Sequence, residues 1–102
     1  WDGTYEVSAT VDGNRVDYII AEDGTLLLSV EEIDSAAIPD AVQTAVTGEI
    51  GDGEIRRIDK VTEEGEVYYD IRATGADGER VRLIVAEDGT LLDRFGRGRR
   101  NR

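Results

Sequence analysis

The seven residues Ala21-Glu22-Asp23-Gly24-Thr25-Leu26-Leu27 return as Ala86 to Leu92, 65 positions later. The repeat extends back through Ile19/Ile84, Val16/Val81, Arg15/Arg80 and Asp12-Gly13/Asp77-Gly78. Over residues 12 to 27, 12 of 16 positions are identical, the exceptions being Asn14, Asp17, Tyr18 and Ile20. Repetition of this fidelity restricts the fold to a unit built twice, so the secondary structure of one copy must serve for the other.

Each copy reads as strands joined by tight turns. Tyr5, Val7, Ala9 and Val11 alternate with Glu6, Ser8 and Thr10, the period of a strand with one buried face. Asp12-Gly13 then signals a hairpin. Val16, Tyr18 and Ile20 make the inward side of the return strand. After Asp23-Gly24, Leu26, Leu28 and Val30 are expected on that same side, which completes a three-stranded meander. The face formed by Tyr5, Val7, Val16, Tyr18, Ile20, Leu26, Leu28 and Val30 is expected to lie under a helix in a complete unit. Left uncovered, residues 5–30 would offer a surface for homo-oligomerisation.

Residues 34 to 48 change period. Ile38, Ala41, Val42, Ala45 and Val46 fall at helical spacing, with Pro39 suited to the first turn and Gly48 to a stop. A helix of about nine residues is too short to persist alone in water and must dock on a sheet, through Val42, Ala45 and Val46. Ile55, Ile58 and Val61 are three apart, which predicts a strand carrying a bulge. Val67, Tyr69, Ile71 and Ala73 alternate cleanly. Val81, Leu83, Val85, Leu91 and Phe95 are expected to supply the buried side of the last two strands. The predicted order is βββ–α–ββββ, an α+β fold with an antiparallel sheet and one short helix on one face. Residues 1–33 form a partial unit and 34–95 a complete one. Residues 96–102, only Gly, Arg and Asn, are expected to be disordered.

These residues carry a resemblance. The helix Ile38-Pro39-Asp40-Ala41-Val42-Gln43-Thr44-Ala45-Val46 leads into Glu54-Ile55-Arg56-Arg57-Ile58. A turn at Gly65-Glu66, the run Val67-Tyr68-Tyr69-Asp70-Ile71, a hairpin at Asp77-Gly78, and Val85 to Leu92 follow. The pattern resembles the PepSY-like family, whose repeats are similar in fold to the tandem units of the β-lactamase-inhibitor protein. The likeness covers residues 38 to 95 as one unit and 4 to 33 as the back half of another. It implies a periplasmic or secreted, non-enzymatic module that binds a protein or peptide, with peptidase regulation or inhibitor-like activity among its roles. The competing reading is a structural spacer or assembly domain of a longer envelope protein. The chain begins at Trp1 without methionine and is read as a mature or excised piece.

Composition narrows the chemistry. His and Cys are both absent, which removes Ser-His-Asp and Cys-His arrangements, thiolate zinc sites and disulfides. No cofactor or metal is expected. Glu22-Asp23-Gly24 and Glu87-Asp88-Gly89 lack the alternating oxygens and distal glutamate of a calcium loop, and read as hairpin turns. Residues 1 to 93 hold seven bases against 23 acids, a charge of −16 that opposes nucleic acid and anionic lipid; no apolar run is long enough for membrane insertion. The Gly/Arg tail resembles RNA-binding RGG segments but has no interleaved aromatic residue, and reads as a linker or the edge of an excised piece. On the strand where Val67, Tyr69 and Ile71 point inward, Tyr68, Asp70 and Arg72 point outward, and Arg80 and Arg82 share their side from the next strand. Tyr and Arg are enriched at binding hot spots, so these five residues are the candidate protein-binding face, against the plainer reading of a solvated surface with ion pairs.

Overall fold

The computed structural model describes residues 3–97. A single antiparallel sheet runs in chain order: β1 (Thr4–Val11), β2 (Asn14–Ala21), β3 (Leu26–Ile33), β4 (Glu54–Glu63), β5 (Glu66–Thr74), β6 (Arg80–Ala86) and β7 (Leu91–Arg97). Between β3 and β4 come a 3-10 turn at Ser35–Ala37 and the helix α1 (Asp40–Ile50). The βββ–α–ββββ order and the α+β class are therefore as predicted. Because β3 pairs with β4 from Leu28↔Glu63 to Ile33↔Ile58, both halves share one sheet.

The turns follow from local chemistry. Asp12 and Gly13 both take positive φ (53° and 85°), the left-handed pair that a two-residue hairpin needs. Gly24 and Gly89 share φ of 93°, and in each copy the preceding aspartate locks the turn. Asp23 Oδ1 accepts the Thr25 N–H at 2.9 Å, and Asp88 Oδ1 accepts the Thr90 N–H at 2.9 Å. The turn between β4 and β5 falls on Glu64-Gly65 (φ 51° and 85°), one residue earlier than the family pattern suggests.

The repeat also reproduces a bulge. Ile19 pairs with Leu28 but Ile20 with Leu26, which leaves Leu27 extra. Sixty-five positions on, Ile84 pairs with Asp93 but Val85 with Leu91, which leaves Leu92 extra. An extra residue turns everything beyond it to the other face of the sheet. This corrects two expectations. Leu28 and Val30 lie opposite Ile19 and Asp17, on the reverse side from Tyr18 and Val16. Phe95 lies opposite Arg82 and is 47% exposed instead of buried, and Leu91 is also exposed.

α1 packs on β5 and β6 through Val42, Val46 and Ile50, with Ala45 partly buried. Its floor is Ile58, Tyr69, Ile71, Ala73, Val81, Leu83 and Val85. The helix does not end at Gly48 but continues to Ile50 and stops at Gly51, whose φ is 58°. An exposed mid-helix glycine costs about 1 kcal/mol, whereas burying Ile50 returns about 2 kcal/mol, so continuation wins. Pro39 occupies the N-cap with φ −62°, and Ala41 faces solvent outside the apolar stripe.

Helix coverage ends at the middle of the sheet. On the helix side of β1 and the start of β3, Tyr5, Val7, Val11 and Leu26 are exposed. The expected bulge in β4 is present between Ile55 and Arg57, and it keeps both Ile55 and Ile58 with the core while turning Val61 to the open face beside Val30. Gly96 and Arg97 belong to β7, which corrects the disorder expected of those two; residues 98–102 of the expected tail, with Trp1 and Asp2, lie outside the described residues.

Candidate functional site

Among the described residues no helix covers the face turned away from α1, and its β4–β7 half is organised in rows across the strands. One row reads Arg57↔Arg72↔Arg82↔Phe95, each residue directly opposite the next. The row above it begins Asp59↔Asp70↔Ile84. Three guanidiniums side by side repel one another, and two are held in place by the carboxylates above.

Arg57 forks onto Asp59, with Nε at 3.0 Å from Oδ2 and Nη2 at 3.2 Å from Oδ1. Arg82 forks onto Asp70, with Nε at 2.9 Å from Oδ1 and Nη2 at 2.7 Å from Oδ2. These hydrogen bonds, then the charges of the same aspartates, push both guanidinium pKa values above their ordinary value. Arg82 also lies 5.5 Å from the centre of the Phe95 ring, a cation–π contact at an exposed site. Arg72, between the two forked arginines, has no carboxylate among the described residues. Neither does Arg80; Arg56, the bulge residue, makes a 3.4 Å contact with Thr74 Oγ1.

Together these side chains surround a shallow cavity of about 510 Å³ lined by Arg56, Arg57, Arg72, Arg80, Arg82 and Phe95, with Ala73, Val81 and Gly96. Of the five residues expected from sequence, Arg72, Arg80 and Arg82 line it, and Asp70 stands at its edge as the partner of Arg82. Tyr68 does not take part. Four residues along β5 from Arg72, about 13 Å away, it is half-buried in a separate acidic hollow with Glu63, Glu64 and Glu66. Burial, and next the Glu63 carboxylate, raise its phenol pKa. Strand alternation in the sequence does not bring Arg56, Arg57 or Phe95 to this face. The adjacent pair Arg56-Arg57 at the predicted bulge was the available signal for the first two.

Among the described residues, the acidic turns form no cluster of three or more carboxylates that could hold a metal ion. Asp23 and Asp88 spend their carboxylates on the Thr25 and Thr90 amides. Among the described residues no helix is long and apolar enough to cross a membrane.

Fold and face together define a small antiparallel-sheet module with one helix-covered side and one arginine-lined side. No family model matches the sequence, and no curated protein matches it. Solved structures do match. A DUF2874 family protein from Bacteroides uniformis superposes with a TM-score of 0.81 at 11% identity, over 93% of this chain and 72% of that one. A candidate periplasmic protein from Bacteroides eggerthii gives 0.81 at 15%, over 92% and 70%. A BLIP-like protein from Bacteroides fragilis gives 0.76 at 19%, over 100% and 75%. At such identities the likeness is one of fold. It bears out the expected kinship with the inhibitor-protein fold, while the PepSY-like assignment rests on the sequence pattern alone.

Proposed function

We propose that this chain is a non-enzymatic, extracytoplasmic binding module that takes a protein or peptide on the open face of β4–β7, in the manner of an inhibitor or regulator. One observation carries this reading: five arginines and an exposed Phe95 gathered on one open sheet face. Arginine and aromatic side chains are the types that anchor protein interfaces. The periplasmic description of one fold neighbour and the BLIP-like description of another support the setting and the non-catalytic role. The absence of His and Cys from the sequence agrees with a module that binds without chemistry.

The test is retention of an envelope protein on the immobilised chain. A stoichiometric partner held by the native chain and released by Arg72→Glu is the expected result. A partner held equally well by Arg72→Glu, or by none of the sheet face, would overturn the assignment.

A further inference from the structure

The chain is acidic overall, with a formal charge of −11, yet its positive charge is not scattered. Twelve basic residues less the five at positions 94, 97, 99, 100 and 102 leave seven, and five of those seven line the arginine cavity just described. Only Arg15 and Lys60 lie elsewhere.

The fold itself does not require this. Ala9↔Val16 in the first copy corresponds to Ala73↔Val81 in the second, so the neighbouring cross-strand pairs Ser8↔Asp17 and Arg72↔Arg82 are equivalent. In the first copy the position is closed: Ser8 Oγ donates to Asp17 Oδ1 at 2.7 Å, and Arg15 Nε donates to the same oxygen at 3.2 Å. In the second copy the aspartate is replaced by Arg82 and the serine by Arg72. Arg80, the counterpart of Arg15, has thereby lost its carboxylate. Like charges directly across a sheet are unfavourable, and the first copy shows that the same backbone accepts a self-satisfied pair. The second copy is left short of carboxylates.

We infer that the cavity supplies this shortage from outside, by seating an extended acidic segment whose carboxylates, two residues apart, are taken up by Arg72 and Arg80. The inference rests on the reading of this face as a protein or peptide site and names the chemistry recognised there. Arg72 and Arg80 are diagonal neighbours on β5 and β6, a spacing of about 7–8 Å. Alternate side chains on an extended strand are about 6.6 Å apart, so one segment reaches both. A guanidinium presents two parallel N–H groups that match a carboxylate bidentately, which lysine does not. Arg57 and Arg82, already forked to Asp59 and Asp70, frame the opening, and Phe95 offers an apolar edge for a neighbouring residue of the segment.

The experiment is a fluorescence-anisotropy titration of the full chain with a labelled peptide carrying Glu-Tyr-Glu in a Gly/Ser frame. Its Gln-Tyr-Gln counterpart and inorganic phosphate serve as comparison probes. The glutamate peptide is expected to bind more weakly as salt rises, with the glutamine peptide about tenfold weaker or worse. Arg72→Gln and Arg80→Gln should each lose about fivefold or more, while Arg15→Gln keeps the native affinity. Among the described residues neither target arginine makes an ion pair, so both variants should keep the native melting temperature, and a loss of binding is then read at the site. Equal binding of the two peptides overturns the carboxylate chemistry and leaves the face as a peptide site. Displacement by phosphate at equal concentration overturns the choice of a peptide segment in favour of a small anion. Binding by none of the probes overturns the inference, and partner retention on Arg72→Glu then decides separately for the face.

Discussion

A Cβ placed on Gly89 would stand 2.7 Å from the carbonyl oxygen of Ala41, at the start of α1; one placed on Gly24, at the same φ of 93°, would meet nothing within 4 Å. The two glycines occupy the same position of the repeat, so the difference measures what the helix adds. Gly24→Ala should cost about 1 kcal/mol, the ordinary penalty for a side chain at positive φ. Gly89→Ala should cost about 2 kcal/mol or more, because backbone must also move. Urea unfolding of both variants checks this, and equal costs would mean that the second turn is not seated on the helix.

Val42 is fully buried between α1 and the sheet. Val42→Ala removes two methyl groups and leaves a cavity that an already short helix cannot close, at about 2 kcal/mol. The same truncation at exposed Val7 should stay within about 0.5 kcal/mol. Chemical denaturation separates them, and a Val42 effect no larger than that of Val7 would place the helix elsewhere.

Acidification should release the two locked turns together. The Asp88 carboxyl is held below its ordinary value of 3.8 by its bonds from the Thr90 amide and side chain, and Asp23 likewise by the Thr25 side chain and amide. A lowered folded-state pKa means that the carboxylate favours the folded state fully above about pH 3.8, and that this contribution fades as pH falls through the lowered value. In an NMR pH titration the Thr25 and Thr90 amide resonances should therefore titrate with midpoints below 3.8. Asp23→Asn and Asp88→Asn should each abolish the shift at their own turn. Midpoints at or above 3.8 would contradict the bonds described.

The uncovered helix side of β1–β3 should behave as an apolar surface. Tyr5 is 59% exposed and Leu26 51% exposed, so replacing either by Ser should leave stability nearly unchanged. Hydrophobic-dye binding should nonetheless fall in both variants, and self-association in sedimentation at high concentration should weaken with it. A native chain that binds no dye and sediments as a monomer at every concentration would contradict the expectation.

Much of this architecture is legible in the sequence because a repeated Asp-Gly turn and alternating apolar residues are local signals. What was hidden was phase. Leu26-Leu27-Leu28 is apolar without interruption, so no alternation marks the bulge at Leu27, and Leu28 and Val30 are read on the wrong side. Repetition then carries the same error to Phe95, 65 residues after Val30. Arg72, Arg80 and Arg82 are legible as outward residues of clean strands. Arg57 is not, since a turn placed at Gly65-Glu66 slides it opposite Thr74 in place of its actual partner Arg72. Tyr68 groups with the arginines in the sequence because alternation gives the side of a strand and not the distance along it.

The most direct test of the arginine face is an NMR titration that follows arginine side-chain Nε–H and backbone amide resonances as the Glu-Tyr-Glu peptide is added. The predicted result is a cluster of shifts at Arg56, Arg57, Arg72, Arg80, Arg82 and Phe95, with Tyr5, Tyr68 and Leu26 unmoved. Shifts confined to the helix side of β1–β3, or to the acidic hollow around Tyr68, would contradict it.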